Sequence, residues 1–106
     1  MTTSTNTLEA LKAQLREQAN ERFPAAAKTG GYPIRFNHCF LRVVYDTLFG
    51  AQWQTVLPKG KPAIHQLSED QLRQALRIGE AVIADPETCK ALNRQSLIYR
   101  GKLKEG

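Results

Sequence analysis

Apolar residues recur at helical spacing near the start of the chain. This narrow stripe is formed by Leu8, Leu11, Leu15, Ala19 and Phe23. The pattern predicts a first helix over about residues 7–23, because Pro24 is poorly tolerated inside a helix. Asn6, followed three residues later by Glu9, has the spacing of a capping box at the start of that helix. Residues 1–7 are mostly small and polar, and we expect them to form a flexible tail.

The middle of the chain is its most apolar part, and there a helix competes with a strand. The residues that keep a helical period are Phe36, Phe40, Val43, Val44 and Leu48. β-branched and aromatic residues favour a strand, but the segment lacks the alternation of a half-buried strand. Its length and the closing Gly50 favour a second helix, followed by a further turn over residues 51–57. A glycine hinge at residues 28–31 and a proline-containing linker at residues 58–62 separate this helix from its neighbours.

Two further helices are predicted in the second half of the chain. Ser68 and Gln71 have the spacing of a capping box. The apolar face that follows consists of Leu72, Ala75, Leu76, Gly79, Val82 and Ile83. Asp85 is suited to cap a fourth helix that begins at Pro86 and closes at Gly101. The inner face of this fourth helix is predicted to consist of Cys89, Leu92, Ser96 and Tyr99.

Together these patterns predict an all-α fold, a small irregular bundle of about four helices. With 106 residues, of which 42% are hydrophobic, the chain has the size and composition of one globular domain. We expect a helical domain over residues 8–101 and a frayed, basic C-terminus over residues 102–106. The central expectation is that the helix over residues 36–48 packs on the apolar stripe of residues 72–83.

Several features bear on location and on cofactors. No apolar run approaches the roughly 18 residues that a membrane span needs, and the N-terminus lacks the pattern of a secretion signal. Cys39 and Cys89 are too few for a disulfide framework, which fits a cytoplasmic chain without membrane contact. Two histidines and two cysteines at scattered spacing form no metal-ligand set. With no phosphate loop or dinucleotide fingerprint either, the sequence predicts neither a metal nor a cofactor.

Positive charge is concentrated in two regions. The net charge is +5, and residues 32–67 and 86–106 each carry an excess of three basic groups, whereas residues 68–85 carry an excess of two acidic ones. This asymmetry favours a non-catalytic protein that binds nucleic acid or a nucleoprotein complex. The predicted contact residues are Lys59, Lys61, Lys90, Arg94, Arg100, Lys102 and Lys104. The same charges also complement helix dipoles, and the connection at residues 84–85 is tighter than the usual three- or four-residue turn of a helix-turn-helix.

His38, Arg42 and Asp46 are the candidates for catalysis, because a spacing of four residues puts them on one face of the second helix. A small enzyme centred on them would need all three to open into a concave pocket. Arg35 and Arg42 would favour the thiolate of Cys39. His38 and Cys39, however, lie about 100° apart on a helix and cannot form a nucleophile–base pair. The structural alternative is an Arg42–Asp46 ion pair that ties helices together.

A third possibility is a protein-interaction adaptor or inhibitor of phage or mobile-element type. It would dock on a protein partner, or on a second copy of the chain, through the first helix or through Trp53.

Residues 32–42, with the sequence YPIRFNHCFLR, together with Asp46 and Trp53, resemble a signature of short uncharacterised bacterial proteins. Residues 92–100 are similar to the C-terminal part of those proteins, so the resemblance covers residues 32–101. Some of them carry an acetyltransferase label, but this sequence shows neither the mixed sheet nor the glycine-containing loop of such enzymes. The resemblance implies a compact bacterial domain in which His38, Arg42 and Asp46 act together.

Overall fold

A computed structural model describes residues 4–102 of the chain and the side chains of residues 7–102. Within this part the chain forms helices and turns and contains no strand, so the predicted all-α fold is confirmed. The helices are α1 (Ser4–Glu17), α2 (Phe23–Ala27), α3 (Asn37–Phe49), α4 (Glu69–Ala84) and α5 (Pro86–Tyr99). The shorter elements are a π-helical turn at Gln18–Arg22 and 3-10 turns at Trp53–Thr55 and Ala63–His65.

The first helix is longer than predicted at both ends. It begins at Ser4, so Asn6 lies inside the helix and the predicted capping box is wrong. Of the predicted tail, residues 4–7 are helical, and residues 1–3 lie outside the described residues. At the other end the π turn carries the helix past Pro24, because the N–H of Phe23 donates to the carbonyl of Gln18, five residues earlier. This wider turn loosens the hydrogen-bond ladder just before the proline, which accommodates its ring and its missing N–H.

The core lies where α4 packs against both α1 and α3, and α5 closes the bundle against α3 and α4. Its largest fully buried apolar side chains are Phe23, Phe40, Leu15, Leu72, Val43, Val44 and Val82. The expected packing of the second helix on the α4 stripe is therefore confirmed. The stripe of α1 is buried within this same chain, so Leu11 and Leu15 are not exposed for docking on another copy.

Local sequence signals fix the helix ends in the second half of the chain. Ser68 and Gln71 form the predicted capping box, with hydrogen bonds of 3.1 Å and 2.9 Å between side chain and backbone in each direction. Asp85 caps α5 by accepting a hydrogen bond from the N–H of Glu87, as predicted. Gly101, at φ +72°, closes α5 in the left-handed conformation.

Two aromatic residues expected inside the bundle lie outside it. Phe36 is 64% exposed and Tyr99 is 36% exposed. Phe36 precedes α3 in an extended conformation (φ −102°, ψ 153°), so the helical period does not apply to it. At the end of α5 the inward position belongs to Arg100, which follows Ser96 by four residues and bonds to the buried Asp46.

Candidate anion-binding site

A buried carboxylate network joins α3 to the C-terminal end of α5. Asp46 is fully buried. Its Oδ2 accepts hydrogen bonds from Ser96 Oγ at 2.6 Å and from Arg100 Nε at 2.7 Å. Its Oδ1 accepts hydrogen bonds from Arg100 Nη2 at 3.1 Å and from the backbone N–H of Trp53 at 2.9 Å. The cost of desolvating both charges offsets much of the attraction in a buried ion pair of this kind, whereas removal of one member leaves an uncompensated buried charge.

Arg42 lies one turn before Asp46 and is held by neutral acceptors. Its Nη1 donates to Ser96 Oγ at 2.8 Å, and its Nη2 donates to Asn93 Oδ1 at 2.7 Å. The predicted Arg42–Asp46 ion pair is therefore wrong, because Arg100 binds Asp46 and Ser96 bridges Asp46 to Arg42. A guanidinium has five N–H donors, of which these two hydrogen bonds use two.

Both arginines line an open cleft, which we name the arginine cleft. Its volume is about 380 Å³, and its lining residues are His38, Leu41, Arg42, Tyr45, Trp53, Gln54 and Arg100. None of these lining residues is a carboxylate. The ring of Tyr45 packs against the indole of Trp53 at 72°, with 5.7 Å between centroids, and so holds the indole in place. The size is in the range of about 300–1,000 Å³ that small-molecule sites occupy.

Among the described residues, Asp46 supplies a negative charge close to Arg42, and the titratable Tyr45 and Cys89 supply none. Burial raises the pKa of the Tyr45 hydroxyl to about 12. Burial also raises the pKa of the Cys89 thiol to about 11, although the positive charge of Arg42 opposes this shift. Both groups are therefore neutral at pH 7. Because Arg100 matches the charge of Asp46, the positive charge of Arg42 is in excess at the arginine cleft.

The three candidate catalytic residues share one face of α3 but have different environments. His38 is exposed and stacks against Phe36, with 5.7 Å between ring centroids. Arg42 is half-buried and lines the arginine cleft. Asp46 is fully buried beneath the cleft, and both of its oxygens are engaged. A ligand in the cleft therefore reaches His38 and Arg42, whereas Asp46 is closed off from it.

Some of the predicted nucleic-acid contacts adjoin the arginine cleft. Lys59 and Lys61 are exposed in the turn that follows Trp53 and Gln54, and all four line a shallow depression of about 210 Å³. Trp53 and Gln54 also line the arginine cleft, so the depression and the cleft are adjacent. Lys102 is exposed just after α5.

Other predicted contacts have different positions. Lys90 and Arg94 are exposed on α5, and Lys90 forms an ion pair with Glu87 at 3.0 Å. Arg100 was expected on the surface, but its side chain is 14% exposed because Asp46 holds it. Lys104 lies outside the described residues.

Sequence reasoning missed the polar residues of α5 that organise the cleft. Asn93 and Ser96 orient Arg42, and Gln54 Oε1 accepts a hydrogen bond from Arg100 Nη2 at 2.9 Å. The signal was present in α5 and just after it, where Asn93, Ser96 and Arg100 recur at helical spacing, although only Ser96 of these three was predicted on the inner face. A polar row on an inward face indicates a hydrogen-bonded network.

A second polar group, the Gln18 cluster, joins the π turn to α4 and consists of Gln18, Arg22, Gly79 and Glu80. Gln18 Nε2 donates to the carbonyl of Leu76 at 3.0 Å and to Glu80 Oε2 at 2.9 Å. Both Nη atoms of Arg22 donate to the Glu80 carboxylate, one of them at 2.8 Å. The hydrogen bonds to Glu80, of which that from Arg22 has the largest effect and that from Gln18 the next largest, hold the pKa of Glu80 below its usual value. Gln18 Oε1 is buried beside Gly79 and has no hydrogen-bond partner within the described part of the chain.

Comparison with known proteins leaves the function to be argued from geometry. Among residues 4–102, no group of three or more His, Cys, Asp or Glu side chains is placed to hold a metal ion. No helix in the same part of the chain is both long and apolar enough to cross a membrane. No protein-family model, curated protein or solved structure matches the chain. The resemblance to short bacterial proteins stays a prediction.

Proposed function

We propose that this protein is a small non-catalytic binding domain that contacts nucleic acid through a basic face. We define the basic face as the arginine cleft together with Lys59, Lys61 and Lys102. The observation that carries the proposal is the excess positive charge of Arg42 in an open cleft that adjoins two exposed lysines.

The chemistry of this face suits phosphate groups. Guanidinium groups donate to phosphate oxygens through a planar fork, and exposed lysines add point charges along the path of a polymer. Each phosphate that these groups neutralise releases a counterion, which makes binding favourable at low salt. Within the described residues, Lys59, Lys61 and Lys102 form no ion pair with an acidic side chain, so their charges face solvent.

The compartment fits the same proposal. Cys39 and Cys89 are free thiols, as in a reducing cytoplasm, where nucleic-acid partners occur. The enzyme alternative receives less support, because the burial of Asp46 removes the carboxylate that would act beside His38 and Arg42.

Binding can be measured by fluorescence anisotropy with a labelled random-sequence 20-nucleotide strand and with its duplex, over a series from low to high salt. We expect binding at low salt that weakens as salt rises. In Lys59→Gln/Lys61→Gln, affinity should fall, and the slope of log affinity against log salt should shrink by about two, one for each lost phosphate contact.

The matched control is Arg73→Gln/Arg77→Gln, which removes the same charge from the exposed surface of α4. We expect this variant to keep the slope of the unmodified protein. Two results would refute the proposal: no binding to either probe at the lowest salt, or an equal loss in both double variants. A protein partner that survives nuclease treatment, in the absence of oligonucleotide binding, would favour the adaptor alternative.

A further inference from the structure

We infer that the arginine cleft holds one nucleotide of a single strand, with its phosphate on Arg42 and Arg100 and its base against Trp53. This inference rests on the nucleic-acid function proposed above and adds the ligand class and the position that it occupies.

The phosphate position follows from the hydrogen bonds that the two arginines leave unused. Ser96 and Asn93 fix the guanidinium of Arg42 through two of its N–H groups, and the other three have no acceptor among the described residues. In Arg100, Nε and Nη2 are engaged by Asp46 and Gln54, whereas Nη1 has no acceptor among the described residues. Two oriented guanidinium groups on one cleft, one of them with unmatched charge, are suited to a phosphate.

The base position follows from the apolar part of the cleft. The indole of Trp53 is half-buried and lines both the arginine cleft and the depression that holds Lys59 and Lys61. Leu41 and Tyr45 complete the apolar lining on the side of α3. Each of the nucleobases gains stacking energy against an aromatic ring, so this site needs no base-specific hydrogen bond.

The recessed position of the arginines favours a single strand over a duplex. The side chain of Arg100 is only 14% exposed, and Arg42 is half-buried. A duplex presents its phosphates on a convex surface and keeps its bases stacked, so it can reach Lys59 and Lys61 but not the cleft floor. A single strand can turn one unstacked base into a concave site while its neighbouring phosphates follow the lysines.

The experiment uses the intrinsic fluorescence of Trp53, which is the only tryptophan of the chain. The unmodified protein is titrated with a 16-nucleotide oligothymidine, with a 16-base-pair duplex, with inorganic phosphate and with polyglutamate. We expect saturable quenching by the single strand, at a concentration at least about tenfold below that at which the duplex binds. We expect phosphate to compete with the strand without quenching, because phosphate brings no base.

Two variants and one control separate the parts of the site. Trp53→Leu should weaken single-strand binding, followed by anisotropy, by about 5- to 150-fold, the cost of losing one stacked base, and leave duplex binding nearly unchanged. Arg42→Gln should weaken single-strand binding by about 10- to 150-fold, as expected for lost hydrogen bonds to a charged group. Arg77→Gln, outside the basic face, should bind as the unmodified protein does.

The outcomes distinguish this inference from the proposed function. Equal binding of strand and duplex without quenching of Trp53 would overturn the nucleotide site and leave the nucleic-acid function standing. Absence of binding to both probes would overturn both. Polyglutamate that binds as tightly as the strand would overturn both in favour of an acidic protein partner. Because quenching is measured on the unmodified protein, the inference stays testable even if Trp53→Leu does not fold.

Discussion

The arginine cleft and the Gln18 cluster use similar side chains with different charge balance. In the Gln18 cluster, Arg22 and Glu80 match each other's charge, and their side chains are 44% and 51% exposed. At the arginine cleft, Asp46 is fully buried and forms an ion pair with Arg100. The positive charge of Arg42 has only neutral acceptors there.

This difference in charge balance suits one cluster to joining helices and the other to binding a ligand. An exposed, balanced ion pair contributes little to stability and offers no net charge to a ligand. Among the described residues, the half-buried guanidinium of Arg42 donates to neutral acceptors only, so its positive charge can be matched by an anionic ligand. This contrast supports the proposal that the arginine cleft binds a ligand, whereas the Gln18 cluster joins the π turn to α4.

The largest effect on stability should come from breaking the buried pair beneath the cleft. Asp46→Ala leaves the guanidinium of Arg100 and the backbone N–H of Trp53 without their acceptor. We expect the free energy of unfolding to fall by about 3–5 kcal/mol, as for other buried pairs that lose one member. Urea denaturation measures the change, and Asp46→Asn, which keeps one acceptor, should lose less. A loss below about 1 kcal/mol in Asp46→Ala would contradict the buried role of this carboxylate.

An intermediate effect is expected in the Gln18 cluster, where α4 carries a glycine for a steric reason. A Cβ at Gly79 would lie 2.1 Å from Gln18 Oε1 and 3.1 Å from the ring of Phe40. Gly79→Ala should therefore destabilise the protein by about 1–3 kcal/mol, despite the better helix propensity of alanine.

The double variant Gln18→Ala/Gly79→Ala provides the control for this steric explanation. Removing the Gln18 amide makes room for the new methyl group, so in a double-mutant cycle the two substitutions should cost less together than the sum of their separate effects. Additive losses in thermal or urea unfolding would show that the Gln18 side chain is not what excludes alanine from position 79.

A smaller effect on stability is expected for Arg42 itself, although its effect on binding is large. In Arg42→Met the excess charge is removed, but the methionine side chain fills the space of the arginine methylene groups. Ser96 keeps its hydrogen bond to Asp46. We expect the free energy of unfolding to change by about 1 kcal/mol or less, mainly because Asn93 loses its partner. A loss as large as that of Asp46→Ala in the same urea assay would make Arg42 a structural residue.

The smallest effect is expected for Glu80→Gln. The hydrogen bonds from Arg22 and Gln18 lower the pKa of Glu80 in the folded protein. Its contribution is therefore present above the ordinary carboxyl pKa and is lost as the pH falls through the lowered value. Since this pair is about half exposed, we expect the unmodified protein to exceed Glu80→Gln in stability by about 0.5 kcal/mol at pH 7. The difference should shrink as the pH falls below the ordinary carboxyl pKa in urea unfolding at several pH values, whereas a difference that grows on acidification would contradict this sign.

The parts of the fold that could be predicted are those that local sequence dictates. The Ser68 capping box, the Asp85 cap and the closing glycines involve residues within a few positions of one another. The apolar stripe of α4 and its burial follow from the helical period alone. The π turn before Pro24 could not be predicted, because the sequence indicates only that the proline disturbs the regular hydrogen bonds of the helix there.

The candidate site was predicted in part. The helical spacing of His38, Arg42 and Asp46 placed them on one face of α3, which the structure has. The side-chain partners of Arg42 and Asp46 come from α5 and from Arg100 just after it, about fifty positions along the chain. Only tertiary packing decides that Asp46 binds Arg100 instead of Arg42. The exposure of Phe36 was not predicted, because the helical period of α3 was extended to a residue that precedes the helix.

The most direct test of ligand binding at the arginine cleft is a two-dimensional ¹H–¹⁵N NMR titration of the labelled protein with a 16-nucleotide oligothymidine at low salt. We expect shift changes at Arg42, Trp53, Lys59 and the end of α5, with the Gln18 cluster unchanged. Changes centred on Gln18 and Glu80, or no change in either region, would contradict this expectation.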